Sequence, residues 1–432
     1  MALAGDVDVV TVADAGRVLA RLRDAGSGRA VVASVLATAA LLAVGWWLRA
    51  HSFEDLDVYR IGVRTWWHGG DMYGPLPPVR TGLVLPFIYP PFAALVLSPL
   101  ALVSWPMSWV GMGLLSVASL VVVLFVTARR LWPEGGRGGA VLLTAVGVPV
   151  SLLLDPVAQT LWFGQVNLLL MALVAVDCVV ERPRWPRGLL VGVAAAIKLT
   201  PAAFVLLFLV RRDYRAAATA GGTFAGAVLL GFAVAPASSW RYWTGSVPGL
   251  GGLAGSPFAT NQAIRGALAR MDTLPRVGQL ALWLLLCLLM LGLAVLGMRR
   301  ALRAGNIALA LVVNAALALL VSPISWGHHW VYVAPALLVM TAQAVRLRSG
   351  RWAVAAVLTA IVFILHPYHF LPMADNREYG WSWWEHLVGN AYGLLTVGLL
   401  LVLAWPDIAR RRNRTRATDG PYPRPVCDSP DG

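Results

Sequence analysis

Apolar residues run along this chain in blocks of about 15 to 23, set apart by short segments rich in arginine. About 20 apolar residues in a helix cross a ~30 Å hydrocarbon core, so such blocks predict membrane spans. They fall near 30–50, 108–128, 139–154, 164–180, 216–236, 278–298, 307–323, 329–345, 352–366 and 387–405. Two further apolar segments do not fit as simple crossings. Residues 83–103 carry Pro86, Pro90, Pro91 and Pro99, and a crossing there would throw Arg129 and Arg130 to the outer side. Residues 188–210 lie between two arginine clusters and are interrupted at Lys198-Leu-Thr-Pro201. The first reads as a broken or interfacial helix on the outer face, and the second as a hairpin that turns back at its proline. Non-helical backbone at membrane depth is tolerated only where protein buries it or where it lines a cavity. The alternative is that each is an ordinary span that breaks the charge rule.

Composition excludes a soluble protein. Of 432 residues, 58% are hydrophobic and only 13% charged, with mean hydropathy +0.70; soluble domains carry roughly 25% charged residues. The expected fold is an all-α polytopic membrane protein with about 10–12 transmembrane segments. The formal charge of +14 comes almost wholly from arginine, because Lys198 is the only lysine in the chain. The arginines cluster between apolar runs, at Arg17 to Arg29, Arg129 to Arg137, Arg182 to Arg187, Arg211 to Arg215, Arg299 to Arg303, Arg346 to Arg351 and Arg410 to Arg416. That is the pattern of cytoplasmic loops facing anionic lipid, not of a nucleic-acid binder. Both termini are then cytoplasmic: a segment at 1–29 with no signal-peptide pattern, a membrane domain at 30–405, and a basic, then disordered, tail at 406–432. Cys178, Cys287 and Cys427 have neither metal nor redox spacing.

With this threading all seven histidines (His51, His68, His328, His329, His366, His369 and His386) fall at the outer face. So do Trp66, Trp67, Trp326, Trp330, Trp381, Trp383 and Trp384. Tryptophan at an interface is commonly a belt residue, but histidine there needs another reason. The outer face is the working face.

The first outer loop places Glu54, Asp55 and Asp57 within four residues, and Val58 to Trp67 is amphipathic at helical spacing. On such a helix Asp55, Tyr59 and Arg60 would share a face. A carboxylate there suits general-base work on a hydroxyl, against the plainer reading of a solvated acidic turn. Lys198 sits inside Ala-Ala-Ala-Ile-Lys-Leu-Thr-Pro, where a charge costs ~2.5–3.5 kcal/mol, and is a compact partner for one phosphate. The bland alternative is a lysine snorkelling to the interface. His328 and His329 are adjacent, a poor metal pair but able to bind a sugar, a phosphate or a carboxylate. Gln165, Asn167, Asn261 and Gln262 supply amides that suit sugar hydroxyls or, equally, cap helix ends. Asp155 and Asp375 are outer carboxylates without context. There is no P-loop and no dinucleotide fingerprint.

In chain order, Asp55-Leu-Asp-Val-Tyr59, Tyr89-Pro-Pro-Phe92, Gly164-Gln-Val-Asn167, Lys198-Leu-Thr-Pro201, Asn261-Gln262 and Ser322-Pro-Ile-Ser-Trp-Gly-His328-His329-Trp330 resemble glycosyltransferase family 87. These are polyprenol-phosphate-mannose-dependent α-(1→2)-mannosyltransferases of the actinobacterial cell envelope. The resemblance spans about residues 50–335. It implies a GT-C helical bundle whose first outer loop carries interfacial helices and whose active site opens to the outer leaflet of the plasma membrane. It also implies a polyprenyl-phosphate-mannose donor, a glycolipid or lipoglycan acceptor such as a phosphatidylinositol mannoside, and inversion at the sugar. Asp55 takes the family's catalytic position, with Asp57 as rival. His328 or His329 would orient the acceptor or stabilise the leaving phosphate. Lys198, Arg64 and Tyr59 would meet the donor phosphate, and Gln165, Asn167, Asn261, Gln262 and Trp326 the substrates. Ala263 stands where a small hydroxyl residue is expected. No cofactor and no obligatory metal are implied. Two alternatives remain open: another polyprenyl-phosphate sugar such as arabinofuranose or glucose, and a transporter or flippase, although no internal repeat is evident.

Overall fold

The computed structural model describes residues 28–45, 52–245, 255–271 and 275–404. The N-terminal segment up to residue 27, His51 and the tail at 406–432, with Cys427, lie outside these. Within the described residues the blocks expected to span coincide with helices, although those near 307–323 and 352–366 form helices of only 15 and 16 residues. In chain order the helices are α1 (Gly28–Gly45), α2 (Glu54–Trp67), α3 (Pro91–Leu102), α4 (Trp105–Leu131), α5 (Gly136–Leu152), α6 (Asp155–Phe163), α7 (Asn167–Val179) and α8 (Leu189–Ile197). Next come α9 (Val205–Val210), α10 (Tyr214–Val234), α11 (Pro236–Trp243), α12 (Ile264–Met271), α13 (Arg276–Arg303) and α14 (Ile307–Val321). The series closes with α15 (Val333–Leu347), α16 (Gly350–Leu365), α17 (Trp383–Gly389) and α18 (Ala391–Ala404). Among the described residues 6 helices are long and apolar enough to cross a membrane, or up to 8 if each bent pair is one span. The chain is a multi-pass membrane protein.

Local chemistry sets the helix ends. The Ser104 hydroxyl accepts from the Met107 amide at the start of α4, where Pro106 gives up no needed donor. Asp213 and Asn306 cap α10 and α14 in the same way. Arg300 and Arg303 close α13, where positive charge favours the helix dipole.

Burial divides the helices by role. α14 is apolar all round and buried on nearly every turn, which makes it an axis of the bundle. α13 leaves Leu280, Leu284, Leu285 and Leu288 exposed. So broad an apolar surface would drive aggregation in water and is at home in lipid.

The hairpin expected at 188–210 is present. The Gly188 amide, at the start of α8, donates to the Asp177 carboxylate. Arg211, at the end of the returning limb, donates to the Cys178 carbonyl. Both ends of the hairpin therefore meet one end of α7. At the tip, Lys198 reaches Asn167 at the other end of α7, ~20 Å away along 13 residues. α3 has 12 residues, ~18 Å, and falls short of a crossing.

Candidate active site

Asp55 lies in the first turn of α2, where exposed backbone amides favour a carboxylate. That turn is fixed from outside the helix, because the Phe53 amide donates to the Trp162 carbonyl of α6 at 3.0 Å. α6 and α7 meet at 119°. The bend runs through Gly164, whose φ of +65° is left-handed and whose missing Cβ would lie 2.6 Å from Cβ of Leu56. Only glycine gives both the turn and the close approach. The bend aims Gln165 at α2, where its amide hydrogen-bonds Asp55 and its Oε1 accepts from Tyr59 at 2.8 Å and Tyr89 at 3.2 Å. Gly164→Ala is expected to destabilise the protein by about 3 kcal/mol and to abolish activity, read by thermal unfolding in detergent beside an activity assay. An unchanged melting temperature would show that the turn tolerates a side chain.

Asp55 stays partly exposed, yet protein surrounds it closely enough for burial to push its carboxyl up to about 6. The Gln165 hydrogen bond and the Lys198 charge oppose that rise, and Glu54 adds to it. Lys198 therefore shares its electrostatic environment with Asp55. Its ammonium donates to Asn167 Oδ1 at 2.9 Å, lies 3.2 Å from His329 Nε2 and sits over the Tyr89 ring at 5.6 Å. Asn167 is a double link, since its Nδ2 donates to the His328 carbonyl at 2.9 Å. Thr160 donates to the same carbonyl at 3.0 Å. A cavity of about 40 Å³ lies beside this cluster, lined by Lys198, His329, Asn167, Thr200 and Tyr332. It has room for a water or two.

Other expected site residues are placed elsewhere. The Asp57 carboxylate accepts from the Arg80 amide at 2.8 Å, with the Arg80 side chain at 3.9 Å, and so pins the 79–82 turn. Arg60 does not share a working face with Asp55 and Tyr59. It is buried and donates to the Leu100 and Val103 carbonyls and to Ser108, tying α2 to the open end of α3. Arg64, nine residues and ~13 Å along α2 from Asp55, donates to the Ala101 carbonyl and is not brought to Lys198. Tyr59 is fully buried, its hydroxyl already given to Gln165. Asn261 and Gln262 are likewise enclosed. Asn261 Oδ1 accepts from the Ser325 amide, and Gln262 Nε2 donates to the Ala259 and Gly389 carbonyls. Asn261 thereby holds the backbone at Ser325 and Gln262 ties its own loop to the end of α17, while Trp326 stays half-buried beside them. Tyr89 and Tyr332 join the site without having been assigned a role from sequence; Tyr89 opens one of the motifs that carry the resemblance, whereas Tyr332 is a large aromatic in apolar surroundings, indistinguishable there from core. Among the described residues no three His, Cys, Asp or Glu side chains are grouped to hold a metal ion.

The family model for glycosyltransferase family 87 matches residues 87–323, more than half of the chain. The chain belongs to glycosyltransferase family 87. It is similar to the "Polyprenol-phosphate-mannose-dependent alpha-(1-2)-phosphatidylinositol mannoside mannosyltransferase" of Mycobacterium tuberculosis, 37% identical over 406 residues, which is 91% of this chain and 94% of that protein. The protein of the same description from Mycolicibacterium smegmatis is also 37% identical, over 88% of this chain and 90% of its own length. A "phosphatidylinositol pentamannoside mannosyltransferase" of Mycobacterium tuberculosis is 32% identical over 84% of this chain and 83% of that protein. No solved structure matches. This family 87 member is a glycosyltransferase, and the transporter reading falls away.

Proposed function

We propose that this family 87 enzyme transfers mannose from polyprenyl-phosphate-mannose to a hydroxyl of a phosphatidylinositol mannoside, forming an α-(1→2) linkage at the outer leaflet. The observation that carries the reading is that Asp55 from the first loop and Lys198, a half-buried cation at the tip of a re-entrant hairpin, converge on the Gln165–Tyr89 pair: Gln165 hydrogen-bonds Asp55 and Tyr89, and the Lys198 ammonium sits over the Tyr89 ring. Relatives with 37% identity over nearly the whole chain carry that donor and acceptor in their descriptions, and those described for the pentamannoside stand at 32%.

Asp55 takes the proton of the acceptor hydroxyl as its oxygen attacks the anomeric carbon. The bond from that carbon to the phosphate oxygen breaks on the opposite face, its electron pair leaving with the phosphate. A β-linked donor thus gives an α-linked product. Lys198 neutralises the charge that develops on the phosphate. His329, held against Lys198, fixes the direction of the ammonium, and His328 anchors the turn through its backbone. A monophosphate leaving group carries less charge than a diphosphate, so Lys198 suffices and no divalent ion is obligatory. The arginine-bearing ends face the cytoplasm with both termini, and the ends bearing Asp55, His328 and His329 face outward.

Purified protein supplied with radiolabelled polyprenyl-phosphate-mannose and a phosphatidylinositol mannoside should produce labelled glycolipid before and after thorough chelation. Loss on chelation that magnesium or manganese restores would reject the metal-free mechanism. Transfer from a different lipid-linked sugar, and none from mannose, would replace the donor.

A further inference from the structure

Among the buried carboxylates that this mechanism leaves unused, Asp155 is the one joined to the histidine turn. Asp155 opens α6, is 3% exposed and does not line the Lys198 cavity. Its Oδ2 accepts from Gln159 Nε2 at 2.7 Å, from the Tyr368 hydroxyl at 2.9 Å and from the Tyr392 hydroxyl at 3.2 Å. His366 Nδ1 lies 3.8 Å from Oδ1. These partners come from α6, from the turn at Pro367–Phe370, from α18 and from the end of α16. A carboxylate so enclosed needs such company, because an unpaired buried charge is strongly destabilising. Three donors on a single oxygen also fix the directions of the donors themselves.

What they fix is the turn that carries the two histidines. The Tyr368 hydroxyl packs so tightly on Gly327 that a Cβ there would sit 2.3 Å from it. On the next residue, Thr160 from α6 and Asn167 from α7 both donate to the His328 carbonyl. The backbone at 327–328 is thus held on one side by a tyrosine oriented by Asp155, and on the other by the helix that Asp155 begins. One residue further, His329 Nε2 meets Lys198.

We propose that Asp155 is a positioning residue: through Tyr368 and α6 it holds the His328–His329 turn in the register that presents Lys198 to the donor phosphate. The inference rests on the role given to Lys198 above and concerns donor binding, not the chemistry at Asp55. A residue that merely kept the protein folded would change the amount of active enzyme and leave every KM where it was.

Asp155→Ala and the milder Tyr368→Phe, which keeps the ring and removes one hydroxyl, are to be compared with wild type in two measurements. The first is the KM for each substrate in the transfer assay. The second is direct binding of polyprenyl phosphate bearing no sugar, which does not depend on mannose being the right donor. Both variants should weaken polyprenyl phosphate binding and raise the donor KM at least fivefold, with the acceptor KM unchanged. In a Lys198→Met background the same changes should have no further effect on binding, the non-additivity expected of residues acting through one contact. Unchanged binding in Tyr368→Phe would overturn the proposal even if Asp155→Ala failed to fold, and so would equal losses with and without Lys198. Wild-type protein that binds polyprenyl phosphate but transfers no mannose would refute the donor assignment and leave this comparison intact.

Discussion

Asp55→Asn is expected to reduce mannosyl transfer by about 10²–10⁴-fold, while polyprenyl phosphate binding stays within about twofold. The amide keeps the size of the carboxylate and can still take the Gln165 hydrogen bond by turning its oxygen, but it cannot accept the acceptor's proton. Asp57→Asn is the control. Its amide oxygen can still accept from the Arg80 amide, so transfer should persist within about threefold and the cost should be about 1 kcal/mol of stability. Equal losses in the two variants would move the base away from Asp55. The pH profile gives a second reading. Burial lifts the Asp55 carboxyl to about 6, and the working form of a base is the deprotonated one. kcat/KM should therefore fall about tenfold per unit as pH drops below about 6, and level off above about 7. A rate that held level down to the ordinary aspartate range would mean that a different group takes the proton.

The spans were legible because length and hydropathy alone decide them, and the α14 axis shows as a run with no polar face. The hairpin was legible for a different reason: two arginine clusters enclosing a single apolar segment leave an odd crossing that only a turn-back resolves. Lys198 stood out as the one lysine in an arginine-rich chain. Asp55 stood out by its place after the first span. What stayed hidden was where the spare backbone carbonyls of short helices would land. Arg64 reads as a phosphate ligand and Arg60 as a neighbour of Asp55 on one helix face, yet the end of α3 takes both. The amides of Asn261 and Gln262 read as sugar contacts, and the distant backbone at Ser325 and at Gly389 uses them up. Asp155 had no context because Tyr368 and Tyr392 lie more than two hundred residues away in sequence. Polar residues that organise a site and those that touch a ligand are the same residue types, and only the fold sorts them.

Lys198→Met should cost about 10²–10³-fold in kcat/KM for the donor, the loss typical of removing one preorganised group that stabilises developing charge. Methionine fills much of the same volume without the ammonium, so Asn167 and His329 lose their shared partner while the hairpin tip keeps its packing. Lys198→Arg should fail as well. The site is built for a compact charge between an amide oxygen and an imidazole nitrogen, and a planar guanidinium with its wider fork does not fit that gap. The variant also tests the electrostatic link to the base. The Lys198 charge holds the Asp55 carboxyl down, so in Lys198→Met the acidic limb of the residual activity should move to higher pH. A large loss of rate with an unmoved limb would assign Lys198 to the phosphate alone. A moved limb with unchanged donor binding would make it a tuner of the base and remove it from the leaving-group side. Only the two effects together match a cation placed between the base and the departing phosphate, where it serves both ends of one displacement.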